Sequence, residues 1–249
     1  MLFRSYMPQQ IRDAKRAVTA WREHCERVGV GRIHLCAALT HGNEDYVQFG
    51  FDSGVQFPPH RPRIQGITHL VNFNEPFSGT ILDYQAIASA YLGWTYGDRK
   101  VFKTVFPSWD NTARNGNRAV IVWNGTPTNY EYWLSEAVRM TREEFSGDER
   151  LVFINAWNEW AEGCHLEPDV RYQRQFLEAT LRVKRGESRA NGFADIALPR
   201  DVPGARVLLE DLARVVRFGR TRTVAKTRAW FDRNPRAKAI AKRALFRSR

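Results

Sequence analysis

Glu159 and Glu162 stand three residues apart in NAWNEWAEGCHLEPD (155–169), a stretch that places two tryptophans and four acids in fifteen positions. Two carboxylates at one place can divide acid–base work. One stays ionised as a base, while the other, pressed against indole and a like charge, keeps its proton to higher pH. Cleavage of an acetal needs that division: an acid at the leaving oxygen and a base or nucleophile opposite. The faces of Trp157 and Trp160 match the C–H faces of a pyranose ring. The residue types therefore point to glycosidic chemistry, with Glu159 and Glu162 as the catalytic pair and Trp157, Asn158 and Trp160 as sugar-binding groups.

The pair has to be positioned. In an extended strand, residues three apart face opposite sides, so the two acids converge only if the chain turns at or just after Asn158. RLVFINAW (150–157) reads as the strand, and Gly163 and Pro168 prevent it from continuing. Upstream, Leu2 to Tyr6, RIHLCAAL (32–39), FGFDSGVQFPPH (49–60) and KVFKTVFPSWD (100–110), the last broken by Pro107, read as further strands. Helical spacing marks 11–28, 84–96, 128–145 and 171–184.

Strands alternating with helices of this length predict parallel βαβ units. Polar and aromatic clusters follow several strands, as at the C-terminal mouth of a (β/α)8 barrel. No GxGxxG follows the first strand, so the dinucleotide-binding fold lacks its fingerprint. The predicted fold class is α/β, of the (β/α)8 TIM-barrel type. About five βα units cannot close eight strands, so the barrel is predicted to be incomplete, its missing strands coming from an upstream segment or another chain.

The same logic nominates Trp109, Asp110 and Asn111 as sugar-site residues, because they follow a strand. A solvent-facing turn is their alternative. Asp52 and His60 flank the third predicted strand and join the binding candidates; for His60, and for His41 after the second strand, a plain loop role competes. Glu167 is read as a turn residue with Pro168. His165, Glu162, Glu167 and Asp169 match no standard metal-ligand spacing, so neither a metal nor another cofactor is predicted. Arg114 and Arg118 are noted as possible anion ligands but read as ordinary exposed cations.

The net charge of +11 is unevenly placed. Residues 205–249 carry 14 Lys and Arg against three acids, whereas the remaining residues carry 24 of each sign. The organisation predicted is a partial barrel over 1–190, a linker over 191–204, and a basic amphipathic helical tail over 205–249. Cations interleaved with Trp230, Phe231, Ile240, Leu245 and Phe246 suit an anionic membrane surface. Nucleic acid ranks last as a partner, since the neutral body offers it no second contact surface. Three scattered cysteines give no disulfide framework. With no signal-peptide pattern and no apolar run of membrane-spanning length, the predicted location is cytoplasmic, peripheral at the inner face of the membrane.

INAWNEWAEGCHLEPD, FGFDSGVQFPPH and VFPSWDNTAR resemble, in this order, blocks of the WbsX-type proteins found with surface-polysaccharide synthesis genes. The first block also resembles the signature of glycoside hydrolase family 99. The likeness runs from about Leu2 to Lys184 and enters the family barrel near its fourth strand. It implies a (β/α)8 barrel acting on an oligosaccharide or polysaccharide, with its two acids in an NEWxE segment. By that resemblance Glu159 is the base toward the sugar 2-hydroxyl, forming an anhydro-sugar intermediate. Glu162 is then the general acid and base at the glycosidic oxygen. Ala161 departs from the histidine usual in the hydrolases. The alternatives carried forward are a sugar-nucleotide glycosyltransferase and a truncated, non-catalytic carbohydrate-binding or membrane-associated protein.

Overall fold

The structure, a computed structural model, describes residues 2–3, 7–41, 45–60, 64–71, 73 and 76–194. The predicted tail (205–249) and most of the predicted linker lie outside the described residues. The backbone divides into two units, Met1–Thr68 with Ser78–Ile196, and His69–Phe77 with Ala197–Arg249. In the described part of the second unit, the rings of Phe73 and Phe77 stack with centroids 4.5 Å apart.

The first unit is built on a five-stranded sheet of β1 (Leu2–Phe3), β2 (Leu35–Leu39), β3 (Ser53–Gln56), β5 (Val101–Val105) and β8 (Val152–Ile154). Every pairing in it is parallel. The strands follow one another across the sheet in chain order. A doubly wound sheet would reverse direction at a switch point. An unreversed run of parallel strands is an arc of a (β/α) barrel wall.

Strand burial explains the unbroken apolar runs. Leu35, Ala37 and Leu39 share a core cluster with Val18 of helix α1 (Ala14–Arg27), whereas Cys36 and Ala38 pack with Val55 and Phe102 in another. Successive side chains face opposite sides of a sheet, so a strand covered on both faces loses its alternation. Three helix starts have a local cause. Asp13 accepts from the N–H of Arg16 at α1, and Asp83 from that of Ala86 at α2 (Tyr84–Leu92). Thr126 accepts from the N–H of Asn129 at α4 (Pro127–Glu144), where Pro127 pre-sets the first helical φ. Helix α5 (Gln175–Arg185) stops at Gly186, φ 74°.

Tyr130, Trp133, Leu134 and Ala137 give α4 a face that packs with Tyr84, Tyr91, Phe106 and Phe176 in the largest core cluster. Full burial of each large side chain contributes about 1.5–3 kcal/mol. Helices α4 and α5 are pinned by a partly buried ion pair: Arg182 Nη2 and Nε both donate to Glu131 Oε2, at 2.5 and 3.1 Å.

Two features differ from the sequence reading. First, the predicted strand 100–110, broken at Pro107, does not stay in one sheet. Beyond Pro107 its end, β6 (Trp109–Asp110), leaves the main sheet and pairs antiparallel with β7 (Val120–Trp123). Second, β7 and β4 (Thr80–Asp83), absent from that reading, pair in parallel and complete a three-stranded sheet. Between β2 and β3, where the sequence marks no helix, the described residues hold a 3-10 turn at Val47–Phe49, ended by Gly50 at φ 81°. No helix among the described residues is long and apolar enough to cross a membrane.

Candidate active site

Strands β3, β5 and β8 lie side by side, so the loops after them meet at one end of the sheet. Asn155, which follows β8, donates from Nδ2 to the carbonyl of Pro58 in the loop after β3 (3.1 Å). His60, in that loop, sets its ring edge-on to Trp109 beyond β5, with centroids 5.8 Å apart. Burial, with His41 beside it, lowers the proton affinity of His60.

The segment after β8 doubles back. Asn158–Glu159 (β9) pairs antiparallel with Cys164–His165 (β10), and Glu159 sits opposite Cys164. Between them Trp160–Glu162 forms a 3-10 turn closed by Gly163 in the left-handed conformation, φ 57°. That turn is the reversal the pair needs. It is held against the loop after β5, where Ser108 Oγ donates to the carbonyl of Gly163 (2.6 Å). A Cβ at Gly163 would lie 2.8 and 2.9 Å from backbone O and N of Asp110. Gly163→Ala combines that clash with a φ that disfavours side chains, and is expected to cost about 2–4 kcal/mol. Thermal unfolding checks this, and a variant as stable as the wild type would show that the turn can relax.

Both carboxylates converge on one cation. Arg114, in the short helix α3 (Thr112–Asn115), donates from Nη1 to Glu162 Oε1 (3.0 Å) and from Nη2 to Glu159 Oε1 (3.2 Å). The Glu162 side chain is 23% exposed and that of Glu159 44%. Burial raises the pKa of Glu162; Arg114 pulls it back and the charge of Glu159 adds to the rise. The net direction is upward. Removing the guanidinium in Arg114→Gln is therefore expected to raise it further, seen as an upward move of the Glu162 carboxyl in a 13C NMR titration. A downward move would mean that Arg114 does not govern the pair. Because Arg114 is half exposed, each ion pair stabilises the fold only slightly.

The other nominated residues are placed as follows. Trp157 and Trp160 are 55% and 49% exposed. The ring of Trp160 stacks on His165 at 3.8 Å, and its Nε1 donates to Glu167 (2.6 Å). Asn158 is exposed beside Glu159 on β9. Trp109 is buried in the core cluster beside the turn. Asp110 accepts from the N–H of Thr112, and Asn111 from that of Val120, so both side chains brace backbone around α3. Asp52 is not brought to the pair. It precedes β3, at the opposite end of the strand, where it accepts from Arg22 Nη2 (2.9 Å) and the N–H of Leu35 (2.7 Å).

Sequence reasoning noted Arg114 only as a possible anion ligand, read it as an ordinary exposed cation, and missed its place between the two glutamates. Nothing at 114 signals that it meets side chains 45 and 48 positions away. Among the described residues, no group of three or more His, Cys, Asp and Glu is placed to hold a metal. A cleft of about 320 Å³ opens beside the turn, lined by Trp109, Trp123, Asn124, Gly163, His165 and Tyr172 among others, but by neither glutamate.

Comparison with known proteins places the chain in a family. The family model described as glycosyltransferase WbsX matches residues 1–180. A protein called WxcX from Xanthomonas campestris pv. campestris, in each of two strains, is 34% identical over 181 residues. The match covers 72% of this chain and 26% of the relative. The chain thus spans about a quarter of the length of the curated relatives it matches. A solved structure titled glycoside hydrolase-like protein aligns over 69% of this chain and 49% of its own, with a TM-score of 0.42 and 13% identity.

Proposed function

The chain belongs to the WbsX glycosyltransferase family, and we propose that it cleaves or transfers a glycosyl unit of a surface polysaccharide, using Glu159 and Glu162. The observation that carries this reading is the convergence of the two carboxylates on Arg114, with Glu162 biased toward holding its proton.

In the proposed reaction Glu159 removes the proton of the sugar 2-hydroxyl as its oxygen attacks the anomeric carbon. Glu162 gives its proton to the departing glycosidic oxygen. In the second step Glu162 takes a proton from water, or from an acceptor hydroxyl, as that oxygen attacks the same carbon. The bond between O2 and the anomeric carbon opens as Glu159 returns its proton to O2, which restores both carboxyl groups. Water as acceptor gives hydrolysis and a sugar hydroxyl gives transfer. Arg114 keeps the free pair aligned and lessens its mutual repulsion. Substrate entering between the two acids takes over those hydrogen bonds.

The family name supports a second reading, a transferase that uses a sugar nucleotide. Such a donor needs a cation for its diphosphate, and Arg114 is already committed to two carboxylates. The test is to incubate the full chain with purified surface polysaccharide and follow chain length by mass spectrometry, while titrating nucleotide sugars by calorimetry. Shortened or extended chains without nucleotide binding support the two-glutamate reaction. Heat on nucleotide-sugar addition, with the polysaccharide unchanged, would replace it with the second reading.

In the same proposal the protein works in the cytoplasm, and the cations of 205–249 hold it at anionic lipid near its substrate. The open edges of the main sheet are met by further strands, from an upstream segment or another chain.

A further inference from the structure

Trp160 follows Glu159 directly and opens the 3-10 turn that carries Glu162. It is 49% exposed, yet its ring is held on two sides. One face lies on the imidazole of His165, with centroids 3.8 Å apart and planes 18° from parallel. The ring edge is tied by Nε1, which donates to Glu167 Oε2 (2.6 Å). The surface left to solvent is therefore chiefly the opposite face of the indole.

The groups that hold the ring are themselves held. His165 Nε2 meets Asp169 Oδ2 (3.1 Å), and Asp169 Oδ1 accepts from the N–H of Tyr172. Asp169 and Gln173 exchange backbone hydrogen bonds of 3.3 and 2.9 Å. The N–H of Glu167 donates to the carbonyl of Trp157 (3.1 Å), just before β9. Asp169, His165 and Trp160 thus build a stack that ends in an open aromatic face.

Fold stability does not account for this arrangement. Trp160 is exposed and Glu167 half-buried, so water could take either group, and a bond between them adds little to stability. What the bond fixes is orientation. Ordering a side chain as a ligand arrives costs affinity, and a ring already locked by its neighbours avoids that cost. An indole face presented in this way suits the C–H face of a pyranose ring. The carboxylate at its edge disfavours a sugar that carries its own, because two like charges would meet without a partner. Arg114 does not relieve that repulsion, since it is bonded to Glu159 and Glu162.

We infer that Glu167 is a positioning residue. With His165 and Asp169 it fixes the Trp160 indole as a platform on which a neutral sugar unit of the glycan stacks, next to the two acids. The inference rests on the glycosidic reading of Glu159 and Glu162, and gives Glu167 control of affinity rather than of proton transfer.

The test follows indole N–H resonances of the full chain in 1H–15N spectra, with Trp160 identified by the peak missing from Trp160→Phe. The probes are cellotetraose, maltotetraose, mannotetraose and chitotetraose, with tetragalacturonate as the anionic control. By 15N relaxation the Trp160 ring should be as rigid as the surrounding strands before any sugar is added. At least one neutral tetrasaccharide should move its resonance, in the wild type and in the double variant Glu159→Gln/Glu162→Gln. Glu167→Ala frees the ring, so Kd for that sugar should rise about three- to tenfold. KM for purified surface polysaccharide should rise by the same factor, with kcat within about twofold of the wild type, as expected for lost uniform binding. Glu167→Gln still offers Nε1 an acceptor, and its Kd should stay within about twofold of the wild type.

Four outcomes would overturn the assignment: a Trp160 resonance moved by no neutral tetrasaccharide, tighter binding of tetragalacturonate, wild-type affinity in a folded Glu167→Ala, or a loss confined to kcat. Thermal unfolding establishes that the variants fold. If Glu167→Ala does not, a mobile Trp160 ring in the sugar-free wild type overturns the assignment, and a rigid one upholds it. Failure of the two-glutamate reading looks different: turnover would survive in the double variant while the Trp160 response still depended on Glu167.

Discussion

Glu159→Gln and Glu162→Gln are each expected to lower turnover of a cleaved oligosaccharide by about 10²–10⁴-fold, the range that a positioned acid or base contributes. Glutamine preserves shape and can still accept from Arg114, so the fold should survive and the loss should lie in proton transfer. The two variants should part on activated substrates. An aryl leaving group departs without being protonated, so Glu162→Gln should recover much of its first step on a nitrophenyl glycoside. Glu159→Gln should not recover, because the 2-hydroxyl still has to lose its proton. Combining the substitutions should cost much less than the product of the two separate losses, since the residues act as a unit.

The pH dependence follows from the same pair. The pKa of Glu162 lies above the ordinary carboxylate value, chiefly through burial and despite Arg114. The alkaline limb of the rate profile, where the acid loses its proton, should therefore lie above that of a free glutamate. Steady-state rates across pH measure it. Equal activity in both single variants would remove Glu159 and Glu162 from the chemistry.

Arg182→Ala is expected to destabilise the fold by about 3 kcal/mol, the low end of the loss when a buried charge is left without its partner, since Arg182 itself is 27% exposed. Glu131→Ala, which leaves that arginine within reach of water, should cost less. The side chain of Glu131 is only 4% exposed. Besides Arg182 it accepts from the N–H of Arg189 (2.7 Å) and the hydroxyl of Ser188 (3.3 Å). Burial alone would raise its pKa, but Arg182 and the N–H of Arg189 outweigh burial and hold it below the ordinary carboxylate value. A depressed carboxylate stabilises the native state above its unfolded pKa. That contribution fades as pH falls through the folded value. The wild type should therefore lose stability on acidification, and Glu131→Ala should lose less. Urea unfolding at neutral and acidic pH reads both effects, and parallel losses would mean that another group carries the acid sensitivity.

How much was legible in the chain varies with the reach of the forces involved. Helix α4 was readable because its apolar positions recur at helical spacing, although the start set by the Thr126 cap and Pro127 was not read from the sequence. The run LCAAL was readable as a strand because both of its faces are buried. Val120–Trp123 was not, although VIVW is apolar and β-branched: four residues between two loops give no period to measure. The break at Pro107 was visible, but the transfer of Trp109–Asp110 to another sheet was not. That transfer depends on the register with Val122 and Ile121.

At the site, Glu159 and Glu162 stood out because carboxylates and indoles crowd one short segment. The turn between them was foreshadowed by Gly163. Asp52 looked equivalent to His60 because both flank the same strand, yet a strand has two ends. Arg22 and the N–H of Leu35 hold Asp52 at the far one. Arg114 was noted as a possible anion ligand, but nothing near it in the chain tied it to Glu159 and Glu162.

Cys164, two residues beyond Glu162, is fully enclosed, and its Sγ donates to the carbonyl of Asn155 (2.9 Å). Burial pushes its thiol far above the ordinary range. Alkylating reagents consume thiolate that they can reach, and this sulfur offers neither while β9 and β10 stay paired. The rate at which iodoacetamide labels Cys164 is therefore a clock for the opening of this hairpin, readable in the intact protein without any sugar present.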